Sequence, residues 1–317
     1  MPNGYSIIDV SDWDVDRSEP MGSKEKEWRI HPQEHERWLF KLNRMIDRAA
    51  GLHAGEDWSE KIAAEIAGLL GIPHAVVELA ERDGTRDIIS KDFVKDRRRY
   101  RLTHGNELLT MEVPQYPRDQ KRRLSLHTVA NVMDVLAADF ITIPKADVPG
   151  GLDTPQEVFI GYLMLDAVIA NTDRHHENWA IVERQTGPSE PAAAQLAPTF
   201  DHASSLGREL RDTAREEGLA GARASLAPTA YASKARSAFY RDQTDRRPVS
   251  PVEAFQLAAA LRPQAARLWL GRLDRCTSAA LGAVIGRVPE LRMSPTTRQF
   301  TLRVLELNRE ALTRSLG

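Results

Sequence analysis

The stretch "LDTPQEVFIGYLMLDAVIAN", residues 152–171, predicts a buried helix. Thr154 is suited to the N-cap, Pro155 to the first helical position, and Glu157 completes a capping box with Thr154. After Glu157 the segment is apolar on most sides for about four turns, which is typical of a helix inside a protein core. A helix with this environment would hold the residues that follow it in a fixed place.

A polar octet, "NTDRHHEN" at residues 171–178, follows this helix directly. A solvated loop is one interpretation, because Asn, Asp and Thr side chains satisfy nearby backbone groups. A second interpretation is a catalytic loop, because Asp173, His175 and Asn178 form the pattern D-x-H-x-x-N. The step from Asp173 to Asn178 equals the step between the base and the metal-binding Asn of protein-kinase catalytic loops.

The residues downstream favour the catalytic interpretation. Two short strands, "WAIV" (179–182) and "LAPTF" (196–200), are predicted to form a hairpin that ends just before Asp201. Phosphoryl transfer from ATP uses an Asn and a second Asp to hold Mg²⁺ across the phosphates. The hairpin would therefore allow Asp201 to share the metal ion with Asn178.

The residues upstream supply the lysine that this chemistry requires. Lys41 lies in "RWLFKLNR" on a predicted strand, and the next predicted helix, "EDWSEKIAAEIAGLLGIP", contains Glu60 and Glu65. In kinases such a lysine binds the α- and β-phosphates and pairs with a helix glutamate. Glu60 is favoured because it lies one turn into the helix, and Glu65 is the alternative.

The fragments "NTDRHHENW" and "LAPTFDHASSLG" together resemble the HipA-like serine/threonine kinases, whose fold is similar to that of the phosphoinositide 3- and 4-kinases. The resemblance extends over most of the chain through "GSKEK", "WLFK" and "LTHGNELL". It implies ATP and Mg²⁺ as cofactors and a protein substrate. The site residues it implies are Asp173 as catalytic base, Asn178 and Asp201 as Mg²⁺ ligands, Lys41 as the ATP lysine, His175 as a structural brace of the loop, and Gly22, Ser23 and Lys26 in the phosphate-binding loop.

Two features depart from the related kinases. Asp201 is followed by "HAS", so the Asp-Phe-Gly of ordinary protein kinases is absent. The HipA toxins also carry an extra N-terminal domain that contacts a DNA-binding antitoxin, and the segment before the lysine strand is too short to contain it. An antitoxin-like regulator is therefore left open.

The predicted fold class is α+β, a two-lobed protein-kinase-like fold. Residues 1–115 would form a small antiparallel-sheet lobe with one main helix, and residues 116–317 a mostly helical lobe. The strands of the first lobe are expected at 5–10, 36–42, 75–81, 86–90 and 108–113. Helices are expected over 123–140, 251–271, 275–288 and 294–314, and the stretch 202–247 is a candidate mobile segment because its periodicity is weak.

Composition narrows the class of function. The 43 Lys and Arg residues nearly balance the 45 Asp and Glu residues, and a net charge of −2 gives no reason to expect nucleic acid or membrane partners. The single cysteine, Cys276, excludes an internal disulfide framework. No stretch approaches 18 consecutive apolar residues, so we expect no transmembrane helix and a cytoplasmic protein.

Three alternatives to an active kinase are considered. A metal-dependent nuclease could use the same Asp-Arg-His and Asn residues, although such enzymes would place a helix after the motif and benefit from a basic groove. A kinase-like module could bind nucleotide without turnover. A zinc site at His175 and His176 is disfavoured, because adjacent histidines point in different directions and no nearby cysteine completes a tetrahedral set.

Overall fold

The computed structural model describes residues 4–18, 26–47, 49, 52–144, 148–185, 187 and 190–314. Gly22 and Ser23, the first two residues of the predicted phosphate-binding loop, lie outside this range. The side chain of Lys26, the third, lies within it. The secondary structure is mixed, with strands concentrated in the first third of the chain and helices in the remainder.

The strands of the N-terminal region are β1 (Ile7–Asp9), β2 (Asp14–Ser18), β3 (Lys26–Ile30), β4 (Arg37–Leu42), β5 (Met45–Asp47), β6 (Leu52–His53), β7 (Val77–Arg82) and β8 (Thr85–Lys91). Six of them form one sheet in the spatial order β1-β7-β8-β4-β3-β2, and β5 pairs with β6. The strands β2, β3, β4, β8 and β7 pair antiparallel, as predicted, but β1 pairs parallel to β7.

One long helix, α1 (Glu56–Leu70), packs against this sheet and confirms the predicted helix. Ile62, Ile66 and Leu70 recur at helical spacing and are fully buried. The helix ends at Gly71, whose φ of 70° lies in the left-handed region that a residue without Cβ adopts at little cost.

The strand predicted at 108–113 is wrong, because this segment belongs to a helix. Strand β9 (Tyr100–His104) leads directly into α2 (Gly105–Glu112). A capping box between the side chains and backbones of His104 and Glu107 starts the helix, and the residues Leu, Leu, Met and Glu that follow all favour helix. This start signal lies at residues 104–107, before the apolar run on which the strand was predicted.

The next elements along the chain are α3 (Val129–Val135), β10 (Ile141–Thr142), α4 (Pro155–Ile169), β11 (Ala180–Arg184) and β12 (Ala194–Leu196). A second, four-stranded sheet has the spatial order β10-β12-β11-β9. The hairpin predicted after the polar octet is present as an antiparallel pair of β11 and β12, although only Leu196 of "LAPTF" belongs to a strand. Strand β9 pairs with β11, so residues 100–104 join this sheet, and the division at residue 115 remains a prediction.

Helix α4 confirms the predicted core helix. The Thr154 hydroxyl accepts from the Glu157 N–H, and the Glu157 carboxylate accepts from the Thr154 N–H, so the capping box is complete. Nearly every residue of α4 is buried, and the helix packs against α7 (Pro251–Leu261), α8 (Pro263–Arg275) and α10 (Pro295–Thr313). The helix therefore provides a rigid support for the residues that follow it.

The remaining predicted helices are present with altered bounds. The run at 251–271 is two helices, α7 and α8, since Pro263 lacks the N–H that would continue α7. The segment expected to be mobile contains α5 (Asp212–Leu219), a short 3-10 helix (Ala224–Leu226) and α6 (Pro228–Lys234), and α9 (Ser278–Gly286) precedes α10. No helix within the described ranges has the length and apolar character needed to cross a bilayer.

Candidate active site

A cleft of about 1000 Å³ lies among the first sheet, the second sheet and the segments after β12. Every site residue predicted within the described ranges, apart from the buried Glu60, lines it. These residues are Lys26, Lys41, Asp173, His175, Asn178 and Asp201.

Lys41 joins two carboxylates that are distant in sequence. Its Nζ lies 2.9 Å from Glu60 Oε1 and 3.3 Å from Asp201 Oδ1. The alternative partner, Glu65, instead forms an ion pair with Lys61, with an N–O distance of 2.7 Å. Of the two glutamates considered for Lys41, the structure therefore pairs it with Glu60.

The charge of Lys41 is maintained by these two carboxylates. Burial acts to lower the pKa of the Lys41 ammonium, but Asp201 and Glu60 outweigh it and raise the pKa above its usual value. Lys41 is therefore a cation at any physiological pH. Its side chain is only 8% exposed, and the Glu60 side chain only 2%, so solvent screens this pair weakly.

The catalytic-loop candidate is held by a buried ion pair that the sequence reading did not identify. The Arg174 guanidinium donates to both carboxylate oxygens of Asp166 on α4, each at 2.8 Å. Its Nη1 also donates to the backbone oxygens of Asn178 at 2.6 Å and of Phe200 at 3.3 Å. Arg174 thus ties the octet both to the core helix and to the residue before Asp201. The sequence contains one signal of this ion pair: an arginine inside the octet, eight positions after an aspartate that lies in an apolar helix.

Asn178 is oriented within the octet. Its Nδ2 donates to the backbone oxygen of Asp173 at 2.6 Å, while its Oδ1 accepts no hydrogen bond within the described part of the chain. This oxygen is thus the free ligand atom of the side chain. The Asp173 carboxylate faces the cleft, and its Oδ2 lies 3.5 Å from the Ser204 hydroxyl.

Two residues in the left-handed region flank the site. Ala170, at the end of α4, has a φ of 54°, and Asp201 has a φ of 58°. Such angles are unfavourable for residues with a Cβ, although Asp tolerates them better than most residues. Strain of this kind persists where the surrounding contacts fix the backbone, and it clusters at functional sites. Here the strained positions lie at the start of the octet and at Asp201.

Asn178 and Asp201 fit a Mg²⁺ ion in a nucleotide complex. Mg²⁺ takes oxygen ligands and is usually held by one or two protein side chains together with substrate phosphates. The free Oδ1 of Asn178 and the Asp201 carboxylate, whose side chain is 30% exposed toward the cleft, supply this donor type. No group of three or more His, Cys, Asp or Glu side chains suited to a metal ion occurs in the described part of the chain.

The two histidines of the octet have different environments. His175 lines the cleft, and its Nδ1 accepts from the Glu177 N–H at 3.2 Å, a contact internal to the loop. His176 is buried, and its Nδ1 lies 2.9 Å from the Tyr116 hydroxyl. Burial lowers the pKa of both imidazoles, in His176 to about 4, so both rings are uncharged at neutral pH.

The fragment "HGN" at residues 104–106 forms backbone hydrogen bonds to the octet and to the residue that follows it. The Gly105 N–H donates to the Trp179 oxygen at 2.9 Å, and the Asn106 N–H to the His176 oxygen at 3.0 Å. A Cβ at Gly105 would lie 2.1 Å from the Trp179 ring, so this close approach requires glycine. The start of α2 therefore fixes the C-terminal end of the octet.

An apolar part of the cleft was also missed by the sequence reading. Leu39, Phe93, Leu102 and Phe200 line it, and the rings of Phe93 and Phe200 are 5.7 Å apart. The backbone N–H and C=O of Phe93, two residues after β8, form no hydrogen bond within the described part of the chain. A slot with apolar walls and free backbone groups suits a flat heteroaromatic base.

Lys26 begins β3 and lies directly opposite Lys41 in the register of β3 and β4. Both side chains line the cleft, as a phosphate-binding role for Lys26 requires. The structure does not describe Gly22 and Ser23, so their assignment to the same loop stays a prediction.

The sheet-rich N-terminal region, the helical C-terminal part and the cleft among them define a two-lobed protein-kinase-like fold. The family model of the HipA-like C-terminal domain matches residues 14–278. The chain therefore belongs to the family of HipA-like C-terminal domains, and the resemblance seen in the sequence is confirmed. A search of curated proteins finds no match.

Solved structures share the fold, among them the following two. The proinflammatory kinase CtkA of Helicobacter pylori superposes with a TM-score of 0.70 at 17% identity, covering 98% of this chain and 99% of CtkA. HipA of Shewanella oneidensis MR-1, solved with HipB and its operator DNA, gives a TM-score of 0.57 at 12% identity. That match covers 96% of this chain and 67% of HipA. At these sequence identities, the similarity to the two structures shows a shared fold alone.

Proposed function

We propose that this protein is an ATP- and Mg²⁺-dependent phosphotransferase, a HipA-like serine/threonine protein kinase. The observation that supports this most strongly is the contact of Lys41 with both Glu60 and Asp201, beside the loop that contains Asp173 and Asn178. A lysine–glutamate pair, a catalytic carboxylate and two metal-ligand side chains are the parts that phosphoryl transfer from ATP requires.

Each side chain has a role in this proposal. Bound Mg²⁺–ATP supplies the transferable phosphoryl group. Lys41, kept cationic by its two carboxylates, binds phosphate oxygens, and Asn178 and Asp201 hold the metal ion. The Asp173 carboxylate orients the acceptor hydroxyl and takes up its proton as the new phosphate ester forms and ADP departs. Arg174 keeps the octet and the residue before Asp201 in a fixed relation.

The structure bears on the nuclease alternative. That alternative expected a helix after the Asp-Arg-His and Asn residues, but the strand β11 follows the octet. The silent binding module has the same fold as the kinase, so only an activity measurement separates the two.

The proposal is tested by incubating the purified protein with γ-labelled ATP and Mg²⁺, alone and with a cell extract. We expect label on serine or threonine of this chain or of a protein in the extract. Nucleotide binding without transfer to any protein would instead indicate the silent module. Cleavage of DNA or RNA that needs metal but no nucleotide would indicate the nuclease.

A further inference from the structure

The cleft contains more positive charge than the chain as a whole. Ten cationic and six acidic side chains line it, whereas the chain has a net charge of −2. Within the described ranges, six of the cations form ion pairs with carboxylates: Lys41, Arg44, Lys91, Arg97, Lys121 and Arg208. Much of the excess charge therefore belongs to arginines outside this set.

Three of the remaining cations are exposed arginines, Arg122, Arg123 and Arg236, which we call the arginine rim. No carboxylate in the described part of the chain forms an ion pair with any of them. A guanidinium without a carboxylate partner offers its donor fork to an incoming anion, and carboxylate and phosphate both match that fork bidentately. Arg236 Nη1 donates to the backbone oxygens of Ser233 at 3.1 Å and Ala235 at 2.8 Å, which leaves its Nε and Nη2 groups, together with the guanidinium groups of Arg122 and Arg123, for an anionic ligand.

The rim is attached to the catalytic-loop candidate at two points. Arg122 and Arg123 belong to the segment 116–127, which begins at Tyr116, whose hydroxyl lies 2.9 Å from His176 Nδ1. The segment ends at His127, whose Nε2 accepts from the Trp179 indole N–H at 3.4 Å. Both ends of this segment therefore contact residues at the end of the octet or directly after it.

The third arginine is brought to the same place by a different segment. His127 Nδ1 donates to the Ala238 oxygen at 3.1 Å, and the Tyr240 N–H donates to the His127 oxygen at 3.0 Å. The His127 ring also stacks on Phe239, with centroids 4.3 Å apart. Residues 238–240 are thus fixed to the end of segment 116–127, and Arg236, two residues earlier, lines the same cleft as Arg122 and Arg123.

Arg123 is held in an unfavourable backbone conformation. Its φ is 56°, in the left-handed region, and the Gln120 amide donates to the backbone oxygens of Arg122 at 2.8 Å and Arg123 at 3.1 Å. The left-handed conformation is unfavourable for a residue with a long side chain, and strain of this kind is typical of ligand-binding positions. The turn presents Arg123 at the cleft, although an ordinary solvated loop would place a glycine or asparagine there.

We propose that the arginine rim binds anionic groups of the phosphate acceptor, so that the preferred substrate is a peptide segment with carboxylate or phosphoryl groups beside the acceptor hydroxyl. This inference rests on the proposed kinase function, because it assigns the acceptor of that same site. The bound anions would hold the hydroxyl near Asp173, and the rim arginines would act as specificity residues with no part in the proton transfer.

Binding is the first test, and it is independent of catalysis. The probes are fluorescently labelled peptides with one central serine flanked on both sides by Glu, by phosphoserine, by Gln or by Lys, with nucleotide omitted. We expect the Glu or phosphoserine peptide to bind at least about tenfold more tightly than the Gln peptide, and the difference to shrink with added salt. Equal affinity for the Glu, phosphoserine and Gln peptides would overturn the proposal. Preference for Glu or for phosphoserine identifies the anion that the rim recognises.

Charge reversal identifies the residues. Arg123→Glu and Arg236→Glu should each weaken binding of the preferred anionic peptide about tenfold and leave binding of the Gln peptide unchanged. The matched control is Arg267→Glu, an exposed arginine of α8 that does not line the cleft. An equal loss of peptide affinity in Arg267→Glu would show a general effect of charge, and it would refute the binding role of the arginine rim. Tight binding of an oligouridylate that depends on the same arginines, with weak peptide binding, would also refute it.

Nucleotide affinity, measured in the same samples, separates this inference from the proposed function. The rim variants should bind ATP·Mg²⁺ like the wild-type protein and, with the anionic peptide, show a KM about tenfold higher at unchanged kcat. A large loss of ATP affinity in both variants would assign the rim to the nucleotide and overturn the inference. Selective peptide binding by a wild-type protein that transfers no phosphate would contradict the kinase proposal alone.

Discussion

Lys41 Nζ lies 3.3 Å from Asp201 Oδ1, although 160 positions separate the two residues in the chain. The contact joins the first sheet to the segment after β12, and the pair lines one cleft with the octet that follows α4. The predicted site depends on this contact, because a kinase lysine and a metal-binding Asp act on the same bound nucleotide.

Replacement of Asp173 by Asn should abolish phosphoryl transfer and leave nucleotide affinity nearly unchanged. The carboxylate contacts the acceptor hydroxyl in the proposed mechanism, and loss of a general base lowers kcat by about 10²–10⁴-fold. Transfer rates with γ-labelled ATP and equilibrium nucleotide binding measure the two effects. Asp153→Asn, at an exposed position before α4, is the matched control. Wild-type kcat in Asp173→Asn would refute the assigned role.

Replacement of Lys41 by Met should reduce both stability and transfer. The substitution leaves the Glu60 carboxylate buried without its cation, and loss of one partner of a buried pair lowers the free energy of unfolding by about 3 kcal/mol or more. The double variant Lys41→Met with Glu60→Gln should regain part of this stability and none of the activity. Urea unfolding and transfer assays measure these changes, with the exposed Lys234→Met as control. An unchanged free energy of unfolding in Lys41→Met would contradict the stabilising role of the buried Lys41–Glu60 pair.

Replacement of Arg174 by Lys should disorder the octet although charge is conserved. A lysine cannot donate to both Asp166 oxygens and to the Asn178 and Phe200 backbone oxygens at once. We expect a loss of about 3 kcal/mol in the free energy of unfolding, and faster hydrogen exchange of amides in residues 171–178. Arg314→Lys, an exposed change near the end of α10, should have neither effect. If the amides of residues 171–178 exchanged at wild-type rates in Arg174→Lys, the role of Arg174 in holding the octet would be refuted.

The protein should lose stability as pH falls below about 6.5, in part through His127. Burial lowers the pKa of the His127 imidazole to about 3, from 6.5 in an unfolded chain. The unfolded state thus binds a proton that the folded state excludes, so the contribution of His127 is complete above pH 6.5 and is lost as pH falls toward 3. Well below pH 6.5 the slope from one such group is about 1.4 kcal/mol per pH unit.

Urea unfolding at pH 7.5, 6, 5 and 4.5 measures this slope. The variant His127→Gln should show a slope smaller by about 1 kcal/mol per pH unit between pH 6 and 4.5 than the wild-type protein. His35→Gln is the control, because the His35 side chain is exposed. An identical slope in wild type and His127→Gln would show that His127 does not titrate on unfolding.

Features that depend on neighbours along the chain were predicted correctly. The start of α4 is an example, since the Thr154 and Glu157 capping box uses only residues three positions apart. The Gly71 end of α1 and the order of lysine, helix, octet and hairpin were predicted for the same reason. Two local signals had a different outcome: the capping box at His104 and Glu107 starts a helix before the segment 108–113, and Pro263 divides the helix predicted over 251–271.

Contacts between distant segments were decided only by tertiary packing. Glu60 and Glu65 lie on the same helix, and the rotation of α1 against the sheet turns Glu60 toward Lys41 and leaves Glu65 to Lys61. The wall formed by Phe93 and Phe200 likewise joins segments whose approach no local spacing encodes. Spacing along the chain specifies caps, turns and amphipathic faces because these interactions close within a few residues. The choice of partner in a buried ion pair depends on how whole elements pack.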